Sequence, residues 1–211
     1  MIGVILAGGQ ARRYAGAIKP LLEIDQRTIF DRQCEVLSQL CDHIVIAAQQ
    51  PVAWSTLPVV LDCVADGGPL AGIHAALQDS QGPASSEPAD AQDAEARNWH
   101  LVVAGDMPNL RVDVLALLVE RIASANAAGA GAIAFMVGAR PQPLCTLFHH
   151  RATAVIAQRM AAGHNKVAAA LLDPAMATCF VDESAVRAID PALACFHNIN
   201  SPSDILAPRL V

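Results

Sequence analysis

The sequence predicts an α/β fold, a single three-layer domain with helices on both faces of a mostly parallel sheet. Short apolar, β-branched runs alternate along the chain with segments of helical periodicity, which is typical of parallel α/β proteins. Hydrophobic residues make up 54% of the 211 residues and aromatic residues only 4%, so Ala, Val, Leu and Ile must build the core. A chain of this length is long enough to bury one large core.

The predicted elements follow one another closely. The first strand, from Val4, is an apolar run that ends at Gly8-Gly9. Further strands are predicted at 43–48, 57–61, 101–104, 130–137, 143–148, 178–181 and 195–198, and helices at 28–41, 70–78, 112–125, 150–162, 166–172 and from Ser201 onward. Helical spacing predicts one apolar face for the first helix, made of Phe30, Cys34, Leu37 and Cys41. Residues 79–98 show no hydrophobic period, which predicts a flexible excursion.

A glycine turn with cations follows the first strand. Gly8 and Gly9 would let backbone amides approach a ligand without a Cβ in the way, and Arg13 and Lys19 follow shortly after. Bare amides and positive charge after a buried strand are what a nucleotide phosphate requires. The alternative is a solvated basic loop. Pro20 after Lys19 excludes a P-loop, and the spacing of the glycines excludes a dinucleotide fingerprint.

Polar residues follow three further predicted strands. Gln49 comes after the second strand, Asp66 after the third, and Asp106 after the run 101–105. Ligands of open α/β sheets bind beyond the carboxyl ends of the strands, so we expect these residues to face the same crevice as the glycine turn. A carboxylate at Asp106 suits Mg²⁺, which takes one or two carboxylates and completes its shell with phosphates and water. The alternative for Asp106 is a turn residue ahead of Met107-Pro108.

Charge and cysteine content restrict the partners and the compartment. The formal net charge is −6, which argues against broad nucleic-acid binding. Six cysteines lie far apart with no Cys-x-x-Cys pair, which predicts reduced thiols rather than disulfides or a zinc site. No signal peptide precedes the first strand, and the apolar runs are too short to span a bilayer. We therefore expect a cytoplasmic protein without a membrane partner.

Several motifs, taken in order, carry a resemblance to a known family. They are Leu6-Ala7-Gly8-Gly9 with Arg13, Lys19-Pro20-Leu21, Asp66 with Gly68-Pro69-Leu70-Ala71-Gly72, Gly105-Asp106-Met107-Pro108, Pro143-Leu144, Asn165-Lys166-Val167 and Asn198-Ile199-Asn200-Ser201-Pro202. With these motifs the chain resembles the MobA-type nucleotidyltransferases, the molybdenum cofactor guanylyltransferases. The matches run from about residue 4 to residue 206. The resemblance implies a Rossmann-like sheet of the nucleotidyltransferase type.

The resemblance also implies an activity and a set of nucleotide-site residues. The activity is transfer of GMP from GTP-Mg²⁺ to the terminal phosphate of molybdopterin, with release of pyrophosphate. Catalytic roles fall on Arg13, Lys19 and Asp106, with Asp106 holding the metal. Residues implied in nucleotide binding are Leu6, Ala7, Gly8, Gly9, Lys19, Gln49, Asp66 and Asp106. The attacking phosphate is already anionic, so no catalytic base is predicted.

The acceptor is expected to bind the C-terminal part, about 141–211, while the part up to about residue 140 binds the nucleotide. Candidate acceptor residues are Arg140, Pro143, Lys166, Asn198 and Asn200. Asparagine amides match the donor and acceptor edge of a pterin, and the two cations suit its phosphate. The alternative is that the asparagines are turn residues and the cations solvated surface. Transient contact with proteins that deliver molybdopterin or mature molybdoenzymes is also expected.

Three departures from the family pattern keep other functions open. Ala15 stands where the family usually has Gly, and Ile18 where it often has Asp. Gln49 stands near the position of an expected base-reading Asn, and its longer arm would shift the base contact. One alternative is therefore a cytidylyltransferase acting on the same pterin. Another is a non-catalytic nucleotide-binding module that keeps the fold.

Overall fold

A seven-stranded sheet forms the centre of the protein. The computed structural model describes residues 1–7, 18–62, 64, 67–79 and 96–199. Its strands are β1 (Ile2–Leu6), β2 (Glu23–Ile24), β3 (Arg27–Thr28), β4 (His43–Ala48), β5 (Val59–Leu61), β6 (Trp99–Ala104), β7 (Ala132–Val137), β8 (Arg140–His149) and β9 (Cys179–Asp182). The large sheet has the order β5-β4-β1-β6-β8-β7-β9, and β2 pairs with β3 in a separate hairpin. In the large sheet only β8 runs antiparallel to its neighbours, so the prediction of a mostly parallel sheet is confirmed.

Helices connect the strands over the described ranges. They are α1 (Ile29–Leu37), α2 (Gly68–Gln78), α3 (Val112–Val119), α4 (Ile122–Ala127), α5 (Ala152–Ala161), α6 (Val167–Leu171) and α7 (Glu183–Arg187). Short 3-10 turns lie at Lys19–Leu21, Pro174–Met176 and Ala194–Phe196. Of the helices that the structure describes, none is both long and apolar enough to cross a membrane.

Two apolar cores lie on opposite faces of the sheet, because side chains alternate along a buried strand. Ile5 of β1 belongs to the core that contains Leu37 of α1 and Leu115 of α3. Its neighbour Val4 belongs to the other core, with Ile73 of α2. The three-layer α/β/α arrangement is thus confirmed.

Some predicted elements differ in the structure. The predicted strand 195–198 is wrong: the chain enters a 3-10 turn there from Leu193, which has a left-handed backbone. The predicted helix 112–125 is two helices, because the backbone tightens after α3, where Arg121 N bonds Leu118 O across only three residues. The β2–β3 hairpin was not predicted, since its turn at Asp25-Gln26 takes positive φ without the usual glycine signal. The predicted helix from Ser201, and most of 79–98, lie outside the described residues.

The sheet register brings four chain segments to one edge. Leu6, the last residue of β1, pairs with Ala47 of β4 on one side and Ala104 of β6 on the other. Val103 of β6 pairs with Cys145 of β8. Because β8 runs antiparallel, its first residues extend past the end of β6 at this edge. The carboxyl ends of β1, β4 and β6 therefore lie beside the start of β8.

A buried histidine lies near the amino end of β6, at the other end of the strand from Asp106. His100 of β6 is 1% exposed. Burial, together with the nearby charges of His150, the amino terminus and His149, lowers the pKa of His100 to about 4, and a backbone hydrogen bond at Asn98 opposes this only weakly. The folded state therefore favours the neutral imidazole.

Because the pKa of His100 is lowered in the folded protein, we expect the free energy of unfolding to decrease at acidic pH. An unfolded histidine has a pKa of about 6.5, so between about pH 6.5 and 4 the unfolded chain binds more protons than the folded one. The stability from the neutral ring is present above pH 6.5 and lost as the pH falls towards 4, by up to about 3 kcal/mol. We expect a steep fall of Tm from pH 7 to pH 4.5, measured by circular dichroism, and a shallower fall for His100→Leu. Exposed His164 provides the matched control, His164→Leu, which should keep the wild-type slope. Equal slopes for His100→Leu and wild type would contradict the prediction.

Candidate active site

An ion pair joins two of the predicted site residues at the carboxyl edge. Lys19 Nζ lies 2.8 Å from Asp106 Oδ2. The two side chains are 28% and 17% exposed, so a ligand in solvent can reach them while they remain partly shielded from water. Charges in such a partly dehydrated site act more strongly on a bound ligand than charges on an open surface.

Gly105 allows the ends of β1 and β6 and the turn at Lys19–Leu21 to approach one another closely. Its N–H donates to Leu6 O at 3.0 Å, which fastens the end of β6 to the end of β1. A Cβ at Gly105 would lie 2.9 Å from both Leu6 O and Pro20 Cγ, closer than side-chain carbons come to either atom. Pro20 is buried and follows Lys19 in its 3-10 turn. A glycine is therefore needed to bring Lys19 and Asp106 to the same point.

The second carboxylate oxygen of Asp106 is a candidate ligand for a cation. Asp106 Oδ1 is buried and has no hydrogen-bond partner in the described part of the chain. A buried carboxylate oxygen without a partner is costly, and a bound cation would satisfy it. Among the described residues no three His, Cys, Asp or Glu side chains form a metal-binding group. A single carboxylate fits Mg²⁺, whose other ligands are usually phosphate oxygens and water.

The Asp106 turn is held by two groups from distant parts of the chain. The Gln33 amide donates to Ala104 O at 2.7 Å and to Met107 O at 3.0 Å. The N–H of Ile199 donates to Asp106 O at 2.9 Å. The Ile199 bond connects the C-terminal segment, which contains predicted acceptor residues, directly to the turn that carries Asp106.

Gln33 was missed by the sequence analysis. The buried residues of α1 are Ile29, Gln33 and Leu37, whereas Phe30 and Cys34 are only half-buried. The predicted apolar face of this helix is confirmed, since Leu37 and Cys41 belong to one core and Phe30 and Cys34 pack against it partly buried, but the prediction left out Gln33, which is more deeply buried than either. The available signal was the i, i+4, i+8 spacing of Ile29, Gln33 and Leu37, in which a glutamine occupies a core position.

A pocket lies next to the Asp106 turn. It holds about 280 Å³ of space, part of it open to solvent. Its lining residues are Met107, Gln142, Pro143, Leu144, Cys145, Phe196 and Asn198. Two of the predicted acceptor residues, Pro143 and Asn198, thus share one pocket beside Asp106. Arg140 and Lys166 are exposed and do not line it.

The remaining predicted site residues fall into two groups. Leu6, Ala7 and Gln49 lie at the carboxyl edge; Gln49 is exposed after β4, and the Ala7 N–H is already bonded to Ala47 O at 2.9 Å. Any ligand contact of Ala7 must therefore use its other atoms. Predicted site residues outside the described part of the chain are Gly8, Gly9, Arg13, Asp66 and Asn200.

A further carboxylate at this edge was not predicted. Asp62 directly follows β5 and is buried. Its N–H donates to Ala48 O at 2.8 Å, and its Oδ1 accepts the N–H of Val64 at 3.0 Å. The signal in the sequence was its place immediately after an apolar strand, the same kind of position that singled out Asp106.

Comparison with known proteins agrees with this architecture. The model of the MobA-like NTP transferase domain matches residues 3–176. A molybdenum cofactor guanylyltransferase from Vibrio atlanticus is 31% identical over 205 residues, which cover 96% of this chain and 92% of the relative. A second, from Desulfosudis oleivorans, is 28% identical and covers 96% and 91%. The crystal structure of molybdopterin-guanine dinucleotide biosynthesis protein A from Archaeoglobus fulgidus has the same fold, with a TM-score of 0.73, 22% identity and coverage of 98% and 95%. The chain is a nucleotidyltransferase and belongs to the MobA-like NTP transferase family.

Proposed function

We propose that this chain transfers GMP from GTP to the terminal phosphate of molybdopterin and releases pyrophosphate, forming the guanine dinucleotide cofactor. The names of its full-length relatives support this activity. The observation that carries the proposal is the 2.8 Å contact between Lys19 Nζ and Asp106 Oδ2 at the carboxyl edge. A cation beside a carboxylate that could hold a metal is what a metal-bound triphosphate requires, and the pocket lined by Pro143 and Asn198 lies next to this pair.

The reaction makes one bond and breaks one. An oxygen of the molybdopterin phosphate attacks the α-phosphorus of GTP, and the bond from that phosphorus to the bridging oxygen breaks. The electron pair leaves with pyrophosphate. No general base is needed, because the attacking phosphate is ionised at neutral pH. The site must instead hold two anions together and disperse their charge.

Each nucleotide-site residue has a proposed part in that task. Lys19 would donate to phosphate oxygens, and Asp106 would hold Mg²⁺ through Oδ1, the oxygen that Lys19 does not contact. When bound, Mg²⁺ neutralises charge on the triphosphate and on the leaving pyrophosphate. Arg13 is proposed to add a second cation, and Gln49 to contact the base. The other proposed nucleotide contacts are Leu6, Ala7, Gly8, Gly9 and Asp66.

The acceptor is proposed to bind the pocket beside Asp106. Asn198 lines this pocket, and its amide offers both a donor and an acceptor to a pterin edge. Pro143 forms part of the wall, and Arg140, Lys166 and Asn200 complete the proposed acceptor set. This assignment divides one domain, residues 1–211, into a nucleotide part up to about residue 140 and an acceptor part beyond it.

The proposal extends to the environment of the protein. We place it in the cytoplasm, where the described cysteines would stay reduced; all of them are free thiols, namely Cys34, Cys41, Cys145, Cys179 and Cys195. Transient contact with proteins that deliver molybdopterin, or that mature molybdoenzymes, is part of this proposal. The net charge of −6 gives no support to nucleic acid as a partner.

Turnover with different nucleotides tests the function. Purified protein is incubated with molybdopterin, Mg²⁺ and either GTP or CTP, and pyrophosphate release and product mass are measured. We expect the guanine dinucleotide with GTP and no product when EDTA replaces Mg²⁺. A product from CTP would favour the cytidylyltransferase alternative, which the longer arm of Gln49 keeps open. A thermal shift with GTP but no pyrophosphate would favour the non-catalytic module.

A further inference from the structure

Gln33 occupies a position in α1 where an apolar residue would be expected. It is fully buried, and the residues one turn before and after it, Ile29 and Leu37, are fully buried hydrophobics. Its Oε1 has no hydrogen-bond partner in the described part of the chain. Burying an amide with an unpaired oxygen destabilises a core, and an apolar side chain of similar size would avoid that penalty. The packing of α1 alone therefore does not explain a glutamine here.

The amide nitrogen of Gln33 binds the two ends of the turn that carries Asp106. Nε2 lies 2.7 Å from Ala104 O and 3.0 Å from Met107 O. Both partners are carbonyl oxygens, which only accept, so the NH₂ group must face them and both of its protons are used. Ala104 is the last residue of β6, and Met107 directly follows Asp106. One side chain thus spans the whole turn.

The direction of the Asp106 carboxylate depends on this backbone turn. Lys19 contacts only Oδ2, and the buried Oδ1 is unpartnered in the described part of the chain. The carboxylate is therefore not locked by a second side chain at the oxygen proposed to hold the metal. Among the described residues, its placement therefore depends on Lys19 at Oδ2 and on the main chain, which Gln33 fixes on one side of the turn.

We propose that Gln33 is a positioning residue that sets Asp106 for the metal of the metal–nucleotide complex. The inference rests on the proposed function, because it takes Asp106 as the metal ligand. Gln33 touches no substrate and acts only through the carbonyls of Ala104 and Met107. Groups that orient a metal ligand in this way typically change metal affinity by a factor of about 10 to 100 when they are removed.

Metal binding to matched core variants tests this role. Gln33→Met keeps an unbranched side chain of similar length but loses both donors. Leu37→Met changes the same face of α1 one turn later, and neither side chain has a hydrogen-bond donor for the two carbonyls, so it is the control for a general core effect. Mn²⁺ is titrated into the full chain with a saturating, non-cleavable α,β-methylene analogue of GTP, and free Mn²⁺ is followed by electron paramagnetic resonance. We expect the Kd for Mn²⁺ to rise about tenfold in Gln33→Met and to stay within about twofold of wild type in Leu37→Met.

A second readout separates positioning from nucleotide binding. The affinity for the analogue alone, measured in EDTA, should be the same in wild type and both variants, because Gln33 acts only on the metal ligand. If Gln33→Met does not fold, as judged by circular dichroism, Gln33→Leu supplies a shorter donor-free side chain for the same titration.

Three results would overturn the proposal. A wild-type Mn²⁺ affinity in Gln33→Met would remove the positioning role and leave the proposed function intact. Equal weakening in Gln33→Met and Leu37→Met would show a general core effect. Absence of Mn²⁺ binding to the wild-type protein with the analogue would remove the metal role of Asp106, and the role of Gln33 with it.

Discussion

Replacing Asp106 with Asn is expected to lower kcat/KM for GMP transfer by about 10³-fold. The exchange keeps the size of the side chain and an oxygen that can still accept a hydrogen bond from Lys19, so the turn held by Gln33 should persist. It removes the negative charge that fits Mg²⁺, and with it the anchor for the metal on the triphosphate. The loss should therefore appear mainly in turnover and in metal affinity, and much less in Tm.

Pyrophosphate release at saturating molybdopterin measures this effect, with Mn²⁺ titration as the second measurement. Glu35→Gln is the matched control, because Glu35 is an exposed carboxylate on α1 that pairs with Arg27 at 2.8 Å, outside the proposed site. It should keep wild-type activity. An Asp106→Asn protein with activity within about threefold of wild type would contradict the proposal that Asp106 holds the metal.

The sheet could be predicted because its signal is local. Buried strands such as 43–48 are short apolar runs between breaking residues, and the structure places β4 at the same residues. The direction of β8 could not be read in this way, because an apolar run looks the same whether its neighbours are parallel or antiparallel. The turn at Ala194–Phe196 has strand-like composition, but its backbone is set by the left-handed Leu193 before it.

The sequence predicts those site residues that lie beyond the carboxyl ends of strands. Lys19 and Asp106 are separated by 87 positions, and the rule that strand ends share an edge was enough to bring them together. Gln33 lies in the middle of α1 and could not be found from the position of a strand end. Its partners are backbone carbonyls more than seventy positions away, which leave no mark in the composition around it. In the helical pattern of α1, Gln33 is simply a polar residue between the apolar residues Ile29 and Leu37.

Replacing Lys19 with Met should lower kcat/KM by about 10²-fold, since the variant keeps the length of the side chain but loses the cation proposed to bind the phosphates. Exposed Arg27 gives the control Arg27→Met, which should leave activity unchanged. Lys19→Arg should restore little, because the planar guanidinium does not reproduce the compact ammonium beside Asp106.

The combination with Asp106→Asn makes the test of Lys19 decisive. If both groups act on one triphosphate, the double variant should lose less activity than the product of the two single losses, because residues that act as a unit are not additive. Steady-state rates of the wild type, both single variants and the double variant give this interaction directly. Fully multiplicative losses would mean that the two side chains contribute independently to turnover, which would contradict their joint action on one triphosphate. Because Lys19 and Asp106 also contact each other at 2.8 Å, the same cycle is measured on the free energy of unfolding, and only the coupling in turnover that exceeds the coupling in stability is assigned to the shared triphosphate.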